Sequence, residues 1–107
     1  MVIFDKNIPV TPEKVIVHVG HANRAVALNE HKNNINMWAR NNYKNVVVRD
    51  SIKSSLRGFL EENAIKLVDA GMDGVYEPNT LLGYAVLVNE SNTEYKRLRL
   101  LKIKDLL

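Results

Sequence analysis

Residues 45–71 read NVVVRDSIKSSLRGFLEENAIKLVDAG, and they decide the fold class. Asn45-Val46-Val47-Val48-Arg49 is β-branched through its centre, which predicts a strand. Asp50 or Ser51 follows as a helix N-cap. Ile52, Leu56, Phe59, Leu60, Ala64, Leu67 and Val68 then recur on one stripe of a 3.6-residue period. Lys53, Ser54, Arg57, Glu61, Glu62, Lys66 and Asp69 fall outside that stripe or at its rim. Gly71 is placed just past the helix C-cap. Gly58, inside the helix, costs up to about 1 kcal/mol relative to Ala. It marks either a close approach by a backbone or ligand, or a tolerated cost.

Upstream, Val2-Ile3-Phe4 reads as a short strand, and Asn7 to Pro12 as an extended connection. Val15-Ile16-Val17-His18-Val19 has four Val/Ile in five and ends at Gly20, which predicts a second strand. Residues 21–44 admit two readings. Leu28, Ile35, Trp38, Ala39 and Tyr43 share a broad helical face, which predicts one helix inside 24–43. The six Asn between 29 and 42 oppose it, because the Asn amide competes for the backbone. The alternative pairs Ala25–Leu28 with Val15–Val19 through a turn and shortens the helix to about 31–42.

Downstream, Gly74 to Glu77 and Leu81 to Asn89 read as strands. Asn89-Glu90-Ser91-Asn92-Thr93 is a polar turn, so Leu81–Asn89 and Glu94–Ile103 are expected to form a hairpin. A β-bulge near Leu100-Leu101 would put Tyr95, Arg97, Arg99, Lys102 and Lys104 on one face. Strands, hairpins and helices mixed this way predict a single α+β domain over 1–107. Its sheet is mainly antiparallel, with one or two helices packed on one face.

Composition bounds the function. Of 107 residues, 46% are hydrophobic and 25% charged, enough apolar material for one core. There is no cysteine, which excludes disulfides, thiolate metal sites and a Cys nucleophile. A small chain without disulfides, with no signal-peptide pattern at Met1–Lys6, is expected in the cytoplasm. No apolar run approaches the roughly 20 residues of a membrane-spanning helix, so no membrane partner is expected. Thirteen Asn and no Gln indicate an AT-rich genome, which fits a phage or mobile-element accessory factor.

The net charge is +3, and the surplus sits in residues 1–50, with seven basic and four acidic side chains. The run from Lys96 to Lys104 holds five basic residues in nine. A basic strand face with Tyr95 beside it can track phosphates and stack a base. Lys and Arg on an edge strand also simply block edge-to-edge aggregation. Arg40, Tyr43 and Lys44, around Asn41-Asn42, offer donors and a ring to a polar ligand. The candidate ligand-binding residues are therefore Arg40, Tyr43, Lys44, Tyr95, Arg97, Arg99 and Lys102.

Catalysis ranks below binding. His18-x2-His21, with His31 or Glu30, has metal-ligand residue types, but i and i+3 on a strand face opposite ways, so no metal is expected. The same histidines, with Arg24 and nearby Lys/Arg, are the residue types of a small metal-independent RNase, yet nothing fixes their geometry. No phosphate-binding glycine loop, Gly-x-Ser-x-Gly or His-Glu-x-x-His occurs, and no cofactor is called for. The expected function is a non-enzymatic protein that binds an anionic ligand, a nucleic acid or nucleotide. The alternative is an inhibitor or adaptor of a host protein, and homo-oligomerisation fits either.

Overall fold

The computed structural model describes residues 1–71, 77–88, 95 and 97–102. The expected strand at Gly74-Val75-Tyr76, the turn at 89–93 and the positions of Lys96, Ile103 and Lys104 lie outside them. The elements run β1 (Val2–Asp5), α1 (Pro12–Asn29), α2 (Lys32–Arg40), β2 (Val47–Asp50), α3 (Ser54–Asn63), β3 (Ile65–Asp69) and β4 (Thr80–Ala85).

The chain is an α+β fold around one four-stranded sheet of order β2-β1-β4-β3. β1 pairs with β2 in parallel and with β4 antiparallel, and β3 pairs antiparallel with β4. The mainly antiparallel sheet is thus as expected. Among the described residues the helices number three, and they cover both faces. Val2, Phe4, Leu67, Leu82 and Ala85 meet Ala22 and Val26 of α1, with Ile35 and Trp38 of α2 at the margin. Ile3, Val48 and Tyr84 point the other way, onto Leu60 of α3, Ile52 and Tyr95. A strand buried on both faces reads as a continuous apolar run, as Val2-Ile3-Phe4 does.

Several expectations are corrected. Val15–Val19 is helix, not strand. Thr11 accepts a hydrogen bond from the Lys14 amide at 3.3 Å, and Pro12 opens the first turn. Val15, His18, Val19, Ala22 and Val26 then share one inward stripe, and packing along 18 residues outweighs the local β preference. The helix expected inside 24–43 becomes two, because Glu30 is extended and His31 caps α2. Leu28 belongs to α1 and is exposed.

The long helix expected after Asp50 is shorter at both ends. It starts at Ser54, and Asp50 is engaged elsewhere. It stops at Asn63, and Ile65-Lys66-Leu67-Val68-Asp69 is a strand in which Leu67 and Asp69 are buried while Lys66 and Val68 are exposed. The apolar spacing over 64–68 satisfies both periods, which is why the helical one is misleading there.

The hairpin is replaced by a different pairing. Both edges of β4 are occupied by β1 and β3, so the C-terminal segment goes to the free edge of β2. There Leu100 bridges Val48 antiparallel, flanked by Arg49 N–H to Arg99 O and Leu101 N–H to Val47 O, each 2.9 Å. Among the described residues the strand irregularity sits opposite Leu67/Val68, at Leu82. The bonds on either side of the Val48–Leu100 bridge are regular, so no bulge lies at Leu100 and Arg99 and Lys102 alternate instead of sharing a face.

Candidate basic edge and the buried Asp69 cluster

The candidate residues lie on two segments that flank β2. α2 ends in a left-handed turn: Asn42 and Tyr43 have φ of 57° and 54°. The Tyr43 amide bonds back to the Trp38 carbonyl at 3.0 Å, and the Asn42 amide to that of Ala39 at 3.0 Å, which terminates the helix. Trp38 Nε1–H donates to the Lys44 carbonyl at 3.0 Å. The Tyr43 ring stands edge-on to Trp38, with centroids 5.2 Å apart. The turn is thereby held against α2, and the side chains of Arg40, Tyr43 and Lys44 are exposed.

Across β2, Arg97, Arg99 and Lys102 are also exposed. The antiparallel register of Val48 with Leu100 puts Lys102 level with Val46, two residues from Lys44. Asp50 clamps this segment: its Oδ2 accepts from the Arg99 amide at 3.0 Å and its Oδ1 from the Ser51 amide at 2.8 Å. The Arg99 amide is the largest cause that holds the Asp50 carboxyl below its ordinary range, followed by the Ser51 amide and the charges of Arg99 and Lys6. Within 40–50 and 97–102 there are six basic side chains and one acidic. Arg49 is the sixth; its guanidinium donates to the Ile8 carbonyl at 3.2 Å, and its Nε is buried without an acceptor among the described residues.

Tyr95 is placed differently. Its ring is 3% exposed and packs edge-on to Phe59 in the core layer of α3. It supports the segment from beneath and offers no face for stacking.

Sequence reasoning missed a second cluster. Placing His18 on a helix sets it one turn from Lys14, and both reach Asp69 at the end of β3. His18 Nε2 lies 2.8 Å from Asp69 Oδ2, and Lys14 Nζ lies 3.0 Å from the same oxygen. Asp69 Oδ1 accepts from the Gly71 amide at 2.9 Å. His18 and Asp69 are 4% and 2% exposed. Their contacts hold the Asp69 carboxyl down at about 2, with the His18 bond the largest cause. The Lys-x3-His spacing was the available signal, hidden by the strand reading. Among the described residues no hydroxyl bonds to His18, and no three His, Asp or Glu side chains group as metal ligands. The cluster ties α1 to the sheet, as Arg57 does for α3 by donating to Asp5 at 2.9 Å on the other face.

An open depression of about 170 Å³ lies between the ends of α1 and α3, beside β3. Asn29, Glu30, Glu62 and Asn63 rim it, so its two carboxylates disfavour an anion there. Among the described residues no helix is long and apolar enough to cross a membrane. Comparison of the sequence with protein-family models and with curated proteins finds no match.

Proposed function

We propose that the protein binds nucleic acid along the edge formed by residues 97–102 and the α2–β2 turn, without acting on it chemically. The observation that carries this reading is the pairing of Leu100 with Val48. Through it two basic segments far apart in sequence line one edge. Among the described residues, Arg40, Lys44, Arg97, Arg99 and Lys102 have no carboxylate salt bridge. Exposed cations gathered along one strand edge suit a repeating phosphate chain, whose bound counterions are released on contact. An open edge suits a polymer better than a mononucleotide, which is ordinarily enclosed in a pocket.

The test is fluorescence anisotropy with labelled 20-nucleotide single-stranded RNA and DNA of mixed sequence. The triple variant Arg97→Glu, Arg99→Glu, Lys102→Glu is expected to weaken binding at least about 100-fold at low salt. Equal affinity of the variant and the parent protein, or no binding by the parent, removes the reading. In that outcome the basic residues serve to guard the sheet edge.

A further inference from the structure

The outer face of α1 is the wrong chemistry for a helix facing water. At 100° per residue, the inward stripe of Val15, His18, Val19, Ala22 and Val26 is opposed by Glu13, Ile16, Val17, Gly20, Arg24, Ala27 and Leu28. All seven of the second set are exposed, Ile16 at 74% and Leu28 at 72%. A helix apolar on both sides is normally covered on both sides. Gly20 sits in the middle of this face, and a Cβ built there meets nothing within 4 Å, so the surface is locally flat and open.

The charges on the face are two, and they say what covers it. Glu13 lies in the first turn and Arg24 near the other end, and neither makes an ion pair among the described residues. Laid antiparallel on a copy of itself about a twofold axis level with His18 and Val19, the stretch of the face from Glu13 to Arg24 is self-complementary, and Ala27 and Leu28 extend beyond it. Glu13 then meets the partner's Arg24, and Val17 meets the partner's Gly20. The symmetry repeats both contacts. Antiparallel packing also opposes the two helix dipoles favourably, while a parallel pair would set Glu13 against its own copy.

We infer that the outer face of α1 is a contact between two copies of this chain, packed antiparallel and keyed by Glu13 against Arg24. The contact is a small one. An 18-residue helix is about 27 Å long, so the two faces bury far less than the roughly 1,200–2,000 Å² of a tight complex. The dimer is accordingly weak, with a dissociation constant of about 10–500 µM.

Sedimentation equilibrium from about 10 µM to 1 mM tests this, with helical content of each variant checked by circular dichroism. The parent protein is expected to fit a monomer–dimer equilibrium. Glu13→Arg and Arg24→Glu alone should each raise the dissociation constant about tenfold, and the double exchange should restore it to within about threefold. Ile16→Lys, also at an exposed position, should abolish the dimer. A monomer throughout, a dimer indifferent to the single reversals, or a double exchange that fails to restore it overturns the inference.

Discussion

Gly83 has no room for a side chain. A Cβ there would lie 1.9 Å from the Ile3 carbonyl oxygen, because β1 and β4 approach at this point beside the irregularity at Leu82. Gly83→Ala must push the two central strands apart and is expected to destabilise by about 3 kcal/mol, read as a shifted urea midpoint. Asp69 carries a second residue-level consequence. Its carboxyl is held at about 2 in the folded state against an ordinary value of 3.8. A depressed folded value means the stabilisation is complete above about pH 4 and is lost as pH falls toward 2. The amount is about 2 kcal/mol. Urea midpoints measured from pH 5 to 2 should fall more steeply for the parent protein than for Asp69→Asn, which has no such proton to gain.

Elements were legible where one period stood alone. Asn45–Arg49 contains most of β2, and Leu56, Leu60 and Ala64 do face the sheet, because nothing there competes with the reading. Val15–Val19 misled because its β-branched side chains are those a buried helix face also tolerates, and the deciding signal, Thr11-Pro12-Glu13, lies outside the run. β3 was hidden because Leu67 and Val68 fit a helix as well as a strand. The exposed basic residues were legible as charges. Their convergence was not, since it depends on which strand edge is vacant. Gly58 turns out to mark no close approach, for a Cβ there meets nothing within 4 Å. Gly58→Ala should therefore stabilise α3 by about 0.5–1 kcal/mol, seen as a rise of several degrees in Tm. A loss of stability instead would mean that something packs on that helix face.

At the scale of the whole molecule, charge and shape are segregated. Six of the thirteen basic side chains among the described residues lie along the β2 edge, whereas Glu30 and Glu62 rim the depression beside β3. A polyanion approaching this molecule is drawn to one side and repelled from the other. If about three to five phosphates are contacted, log K should fall with log[salt] at a slope of about −2 to −3.5 for single strands. A titration from 50 to 300 mM salt measures that slope directly, and a slope near zero is incompatible with an electrostatic edge.

The order of strands in the sheet also has a cost in time. Among the described residues β1 and β4 are the first and last strands, yet they lie side by side at the centre, with Val2 opposite Ala85. No local hairpin can nucleate that pair; the whole segment between Val2 and Ala85 must be looped before the central contact forms. Such long-range closure slows folding to the millisecond-to-second range typical of high contact order. During synthesis β1 leaves the ribosome before β4, and its apolar Val2-Ile3-Phe4 stays unpaired on that side until β4 follows.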